Sequence, residues 1–200
     1  MGAGALGLNF YTGSPRYVDP ETASNIVTGL PASMECVGVF VNERLERPVQ
    51  IAHRVGRIGT VQLHGPQAQL GSAPPFRVMP AFSVRDRHDL DSIRQLLERT
   101  GQEGWLPDAI LIDARVEGQF GGTGVTAPWD ILADFRLQVP LILAGGLTPE
   151  NVAEAIRIVG PDGVDVASGV EMRPGIKDRE KMQDFIDNAR AAFAKLRRTN

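Results

Sequence analysis

The sequence predicts an α/β protein built on a parallel sheet, and three observations carry that expectation. Short uninterrupted apolar runs alternate with helix-like stretches from one end of the 200 residues to the other. The runs lack the polar and apolar alternation of a strand with one wet face, so they fit strands covered on both faces. Glycine and proline, 22 and 14 residues, fall between these segments and not in a tract, as many short connections require.

Seven runs qualify as strands: Ala5–Phe10, Cys36–Val41, Thr60–Leu63, Arg77–Phe82, Ala109–Ile112, Leu141–Ala144 and Val164–Ala167, each leading into a turn or polar loop. Between them, Asp19-Pro20-Glu21 supplies a capping side chain, a proline at the first helical position and an acid in the first turn, and Thr148-Pro149-Glu150 repeats the device. Near the end, Met182, Phe185, Ile186, Ala189, Ala192, Phe193 and Leu196 recur at helical spacing, which predicts a helix lying on the sheet by one face. Repeated strand–helix units build either an open doubly wound sheet or a closed eight-fold barrel. Seven units of roughly 29 residues in this chain stand close to the ~31 of an eight-unit barrel. No Gly-x-Gly-x-x-Gly with an acid some 20 residues on follows the first strand, so the dinucleotide-binding sheet lacks its mark. The expectation is a TIM-type (β/α)8 barrel in a single domain over residues 1–200, with seven strands visible and one unit unaccounted for.

Composition excludes several functions. Lys and Arg total 21 against 24 acids, a net charge of -3 with no dense block of either sign, which argues against a nucleic-acid partner. Nowhere do the ~18 consecutive apolar residues of a membrane span occur. Met1 to Phe10 lacks the basic start of a secretory signal and reads as a strand. The single cysteine, Cys36, has no internal disulfide partner, and with the scattered His53, His64 and His88 it makes no protein-only zinc cluster. No metal is expected, and the cytoplasm is the default compartment.

In a barrel the functional mouth lies at the carboxyl ends of the strands, and phosphate is commonly held by the loops after the last two. Leu143-Ala144-Gly145-Gly146-Leu147 and Ala167-Ser168-Gly169-Val170-Glu171 both end a strand with glycine, so backbone amides there can approach an anion closely. A strand-to-helix turn can also carry glycine for steric reasons alone; two such turns in the last two units favour phosphate. Leu111-Ile112-Asp113-Ala114 sets a carboxylate at the mouth, either a general acid or base or a loop-orienting cap. Gly121-Gly122-Thr123-Gly124 is a lid over substrate or a linker. Arg16, after the first strand, is a fork for a carboxylate or a solvated surface charge, and His64, ending the third run, is a pocket wall or a structural histidine.

Taken in order, Gly7-Leu8-Asn9-Phe10-Tyr11 with Ser14-Pro15-Arg16-Tyr17-Val18, Val37-Gly38-Val39-Phe40-Val41-Asn42, Gln62-Leu63-His64-Gly65, Leu111-Ile112-Asp113-Ala114, Gly121-Gly122-Thr123-Gly124, the two glycine turns, and Pro174-Gly175 with Lys177-Asp178 resemble the phosphoribosylanthranilate isomerases of tryptophan biosynthesis. The resemblance covers nearly the whole chain. It implies a cofactor-free Amadori rearrangement of N-(5-phosphoribosyl)anthranilate to 1-(2-carboxyphenylamino)-1-deoxyribulose 5-phosphate. In that family an aspartate after strand six protonates the furanose ring oxygen, and a cysteine after strand one removes the C2 proton. Asp113 matches the acid, Arg16 the residue that meets the anthranilate carboxylate, and Gly145, Gly146, Ser168 and Gly169 the phosphate site, with His64 at the substrate pocket.

The family's opening strand, ending in Lys-x-Cys-Gly, and its first helix have no match here, so the expectation is a barrel missing its first βα unit and its catalytic thiol. Cys36 begins its strand, and Asn42 at the mouth lies six residues on, about 20 Å at ~3.3 Å per residue; it reads as a core thiol. Ala167 stands where the family usually has serine. Two other readings compete. One is an inactive or partner-dependent phosphate-binding barrel fragment. The other is indole-glycerol-phosphate synthase, which calls for a lysine ending an inner strand, whereas no Lys precedes Lys177.

Overall fold

The computed structural model describes residues 2–65, 70, 73–114 and 129–199. It contains two compact units, one comprising Gly2–Ala81 with Arg94–Ala109, the other Phe82–Ile93 with Ile110–Asn200.

The first unit is a parallel sheet of β1 (Ala5–Asn9), β2 (Glu35–Val41), β3 (Thr60–His64) and β4 (Arg77–Ser83), in chain order, with the end of β4 passing into the second unit. The register pairs Leu8 with Gly38, Val39 with Gln62 and Val41 with His64. Because side chains alternate along a strand, this sets Asn9, Val39, Val41, Gln62 and His64 on one face. Leu8, Cys36, Phe40, Val61 and Leu63 take the other, where all five are buried. Phe10 continues that second face, its ring stacked on Phe40 with centroids 5.2 Å apart. Burying each such side chain contributes about 1.5–3 kcal/mol.

The connections are the expected helices. In α1 (Pro20–Thr28) the carboxylate of Asp19 accepts from the amides of Glu21 and Thr22, and Pro20 opens the helix as its sequence predicts. Beyond its end, the guanidinium of Arg57 donates to the carbonyls of Val27, Leu30, Pro31 and Met34, satisfying acceptors that a helix leaves open. α2 (Glu46–Val55) closes on Gly56, whose φ of 79° gives the left-handed cap that only glycine adopts freely. α3 (Asp89–Gln102) follows β4.

In the second unit β5 (Ile110–Asp113), β6 (Leu141–Ala144) and β7 (Gly163–Val164) are again parallel and in chain order. They are followed or crossed by α4 (Trp129–Leu132), α5 (Val152–Val159) and α6 (Arg179–Thr199). All seven apolar positions of the α6 stripe are buried or half-buried, with Phe185 and Ala189 innermost, and the helix packs on α5. Among the described residues, seven parallel strands with intervening helices make this an α/β fold.

Three details depart from expectation. The last run forms only a two-residue strand, because Ser168–Val170 winds into a 3-10 turn straight after Ala167. α5 starts at Val152 and not at Thr148: the side chain of Asn151 accepts from the Thr148 amide at 2.8 Å and donates to the Gly146 carbonyl at 3.0 Å, folding residues 148–151 into a turn ahead of the helix. A hairpin of β8 (Glu171–Arg173) and β9 (Ile176–Lys177) turns at Pro174-Gly175, where Gly175 has φ 82°.

Candidate active site

The second unit brings the two glycine turns together. Gly145 and Gly146 leave β6 with φ of 95° and 64°, a conformation that L side chains rarely adopt. Gly169 lies against the next turn so closely that a β-carbon there would overlap the carbonyl oxygen of Leu147 and sit 2.9 Å from its carbon. Among the described residues no backbone carbonyl takes the amides of Gly145, Gly146, Ser168 or Gly169. Four amides on two touching turns are thus left without a backbone acceptor, the groups with which a glycine-rich turn meets an anion.

Behind that turn stands an ion pair. Lys177 Nζ donates to the Ala167 carbonyl at 2.7 Å and to Glu171 Oε1 at 3.1 Å, and the Glu171 side chain is only 4% exposed. Lys181 Nζ donates to the Glu171 carbonyl at 3.2 Å. The segment that follows β7 is thus held by two ammonium groups.

Asp113 ends β5, half-buried and in register with Ala144, so a carboxylate stands at the same end of the sheet as both glycine turns. Its backbone is fixed on both sides: the Asp113 carbonyl accepts from Val84 N and the Ala144 carbonyl from Ala114 N, both at 3.0 Å. One strand beyond Ala144, Asp165 donates its amide to the Leu143 carbonyl at 2.8 Å. The Asp165 side chain reaches solvent, yet enough protein surrounds it that desolvation pushes its carboxyl up from the usual range; Lys177 opposes the shift and Asp113 adds to it. The sequence reading did not single out Asp165, Glu171 or Lys177 as site residues. The signal available for Asp165 was an acid inside an apolar run, at the level where that run reaches the mouth.

The remaining candidates lie in the first unit. Arg16 is half-buried in the loop after β1, its amide donating to Ser14 Oγ at 3.1 Å, and the parallel bridge of Asn9 with Tyr17 ties that loop to the strand. His64 is the last residue of β3, with Nε2 2.7 Å from Gln62 Nε2, and its carbonyl accepts from Asn42 N at 2.8 Å. Both therefore stand at carboxyl ends of strands. Asn42 takes a φ of 55°, and Gly65 leaves room for its side chain where any β-carbon would overlap it.

Cys36 is 2% exposed, at the amino end of β2 and on the face opposite His64, and burial pushes its thiol pKa up. It is core. Residues 121–124, the glycine-rich loop, lie outside the described residues. Among the described residues no group of three or more His, Cys, Asp or Glu is placed to hold a metal ion, and no helix is long and apolar enough to cross a membrane.

The family model described as N-(5'phosphoribosyl)anthranilate (PRA) isomerase matches residues 1–188. Over 191 residues the chain is 44% identical to N-(5'-phosphoribosyl)anthranilate isomerase of Geobacter metallireducens, covering 95% of this chain and 90% of that protein. Among solved structures it is similar to phosphoribosyl anthranilate isomerase from Thermotoga maritima, with TM-score 0.80, 36% identity, and 95% and 89% of the two chains covered. A phosphoribosyl anthranilate isomerase in complex with reduced 1-(o-carboxyphenylamino)-1-deoxyribulose 5-phosphate matches with TM-score 0.74 at 35% identity, over 95% of this chain and 89% of that one. From the glycine turns, the mouth carboxylate and these matches together, the chain belongs to the N-(5'-phosphoribosyl)anthranilate isomerase family.

Proposed function

We propose that this protein catalyses the Amadori rearrangement of N-(5-phosphoribosyl)anthranilate to 1-(2-carboxyphenylamino)-1-deoxyribulose 5-phosphate, the isomerisation of tryptophan biosynthesis, without a cofactor. The contact of Gly169 with the Leu147 carbonyl carries the reading, because it fuses two ordinary glycine turns into one anion cradle beside a strand-end carboxylate. The amides of Gly145, Gly146, Ser168 and Gly169 bind the dianionic phosphate. That remote binding orients the sugar for chemistry elsewhere. Asp113 gives a proton to the furanose ring oxygen; the C1–O bond breaks and the nitrogen lone pair forms the C=N bond of an open-chain iminium. A base then removes the C2 proton, and the enaminol so formed tautomerises to the ketone, C1 gaining a proton and the C2 hydroxyl losing one. Arg16 meets the anthranilate carboxylate in its planar fork, and His64 lines the pocket.

The finer reading is that residues 1–200 belong to a single barrel domain whose first βα unit, with the thiol base, lies outside them. Seven parallel strands among the described residues support it, as does the burial of Cys36, the one cysteine, on the face away from His64. The same burial favours a second reading for these residues by themselves, a phosphate-binding barrel fragment that is inactive without a partner. Lys177, held by Ala167 and Glu171 on a hairpin, does not end an inner strand, which counts against indole-glycerol-phosphate synthase. The cytoplasm is the compartment this biosynthetic reading assigns.

Titration of the chain with the reduced product analogue tests the site. Binding is expected in the unaltered chain and in Asp113→Asn alike, with isomerase turnover by residues 1–200 undetectable. Adding a peptide or unit carrying Lys-x-Cys-Gly should restore turnover, and Asp113→Asn should abolish what is restored. Failure of the analogue to bind would remove the phosphosugar reading; normal turnover by residues 1–200 would place the base among them.

A further inference from the structure

The hairpin that follows the second glycine turn has no part in the mechanism, yet it carries a buried charge. Glu171 on β8 and Lys177 on β9 stand directly opposite each other, and the Glu171 side chain is 4% exposed. Burying a carboxylate costs stability unless a partner answers it. Here Lys177 Nζ answers at 3.1 Å. The same ammonium donates to the Ala167 carbonyl at 2.7 Å, the shorter of its two contacts. Residues 172–176, between the two charged partners, are all exposed. The hairpin therefore has little apolar packing of its own, and what its fold achieves is to bring Lys177 back to the peptide at which the 3-10 turn of Ser168–Val170 begins.

That contact fixes a direction. In a trans peptide the carbonyl and the amide proton of one plane point opposite ways, and the described peptides are trans. A donor on the Ala167 oxygen therefore holds the Ser168 N–H pointing away from Lys177. That amide has no backbone acceptor among the described residues. The ammonium stands roughly 5 Å behind the amide nitrogen, given the dimensions of a peptide plane, so it does not occupy the place of an anion that the amide would meet. It also draws electron density toward the carbonyl oxygen, and a peptide polarised in this way is a stronger donor at its nitrogen. The first glycine turn has a neutral counterpart. Asn151 Nδ2 donates to the Gly146 carbonyl at 3.0 Å, which turns the Leu147 amide away from Asn151, and that amide too lacks a backbone acceptor among the described residues. Each turn is thus gripped at one carbonyl by a side chain from further along the chain, the second by a charge.

We propose that Lys177 is a positioning residue of the phosphate site: held by Glu171, it fixes and polarises the Ala167–Ser168 peptide so that the Ser168 N–H donates to the ester, while Lys177 itself does not touch the ester. The assignment rests on the phosphosugar reading above. It gives the buried Glu171 charge a use, because an exposed lysine samples many rotamers and a fixed carboxylate across the hairpin restricts it to the one that reaches Ala167. Lys181 supplies the contrast. Its Nζ donates to the Glu171 carbonyl at 3.2 Å, so it brings the same charge to the same segment but grips a peptide beyond the 3-10 turn.

Calorimetric titration of the 200-residue chain with inorganic phosphate, paired with NMR spectra, tests this. Lys177→Met should bind phosphate about tenfold more weakly than the unaltered chain, the loss of one charge-assisted hydrogen bond, and Lys181→Met should stay within about twofold. Unchanged affinity in Lys177→Met overturns the proposal, and so do equal losses in the two variants, which would reduce the effect to net charge. Lys177→Met also leaves Glu171 buried without its ammonium partner and should melt earlier. Combining Lys177→Met with Glu171→Gln removes both charges; this double variant should regain most of the stability and none of the phosphate affinity. Affinity that returns together with stability marks a merely structural pair and refutes the assignment. In the unaltered chain, saturating phosphate should move the Ser168 amide proton downfield and, through the shared peptide plane, the Ala167 carbonyl carbon with it. The Ser168 shift should fall to less than half in the double variant while that of the Gly145 amide is kept. A Ser168 amide indifferent to bound phosphate in the unaltered chain overturns the proposal even where neither variant folds, and leaves the phosphate reading standing. If the unaltered chain binds no phosphate, the cradle itself fails and this assignment falls with it.

Discussion

Replacing Gly169 by alanine is the most direct test of the anion cradle, because the structure fixes what the added methyl must meet. The new carbon overlaps the Leu147 carbonyl oxygen, lies 2.9 Å from the carbonyl carbon and 3.2 Å from Thr148 Cα. All three are backbone atoms, so no side chain can swing aside. Carbon atoms settle at ~3.5–4.0 Å, and one turn must therefore retreat from the other by on the order of 1 Å. Overpacking of this kind costs about 1–3 kcal/mol, and a displacement of 1 Å at a site can cost ~100-fold in function. Gly146→Ala provides the control. It meets nothing within 4 Å but must hold φ at 64°, a strain of about 1–2 kcal/mol without displacement of the partner turn. Phosphate and product-analogue affinities measured by calorimetry should fall by ten- to a hundred-fold in Gly169→Ala, and by less than tenfold in Gly146→Ala. Unchanged phosphate affinity in Gly169→Ala would show that the contact between turns does not shape the site.

Three further outcomes follow from individual residues. Cys36 is 2% exposed with a raised thiol pKa; it should resist a maleimide at neutral pH until urea unfolds the chain, and rapid labelling of the folded protein would contradict its place in the core. Arg57→Met leaves the carbonyls of Val27, Leu30, Pro31 and Met34 without their shared donor. Urea denaturation should report a loss of about 2 kcal/mol or more, and a loss below a few tenths would show that water replaces the guanidinium freely. The carboxyl of Asp165 titrates above its unfolded value, so its contribution to stability is complete below the unfolded pKa and is lost as pH rises through the folded one. Asp165→Asn should then be more stable than the unaltered chain at pH 7, with the difference shrinking toward pH 4; a difference independent of pH would mean the acid is ionised as readily in the folded state as in the unfolded.

Much of the architecture was legible because burial on both faces writes itself as an apolar run, and β1 to β6 each overlap one. The stripe of α6 and the Asp19 cap were equally plain, since each depends on residues within a few positions. The failures have a common cause in distant partners. Thr148-Pro149-Glu150 has the composition of a helix start, but Asn151 captures the Thr148 amide and the Gly146 carbonyl and delays the helix to Val152. Arg57 gave no signal because its four acceptors are backbone carbonyls 23 to 30 residues away. The β8–β9 hairpin has no apolar run at all; only its Pro174-Gly175 turn marks it.

The site divides along the same line. Glycine at a strand end is visible in sequence, so both turns could be named, but that Gly169 rests on Leu147 is a property of the register between β6 and β7. Asp113 closed its apolar run and could be read as a mouth residue. Asp165 sits between Val164 and Val166, and the continuing apolar pattern disguised it as strand interior. The strand in fact stops at Val164, which turns the next residue from a buried rung into an acid at the rim. The shortness of β7 and the exposure of Asp165 are thus one event: the 3-10 turn that shapes the cradle also ends the ladder early enough for a carboxylate to remain beside it. A change that lengthened β7, such as replacing Ser168-Gly169 by β-branched residues, should therefore lose the anion cradle and the exposure of Asp165 together.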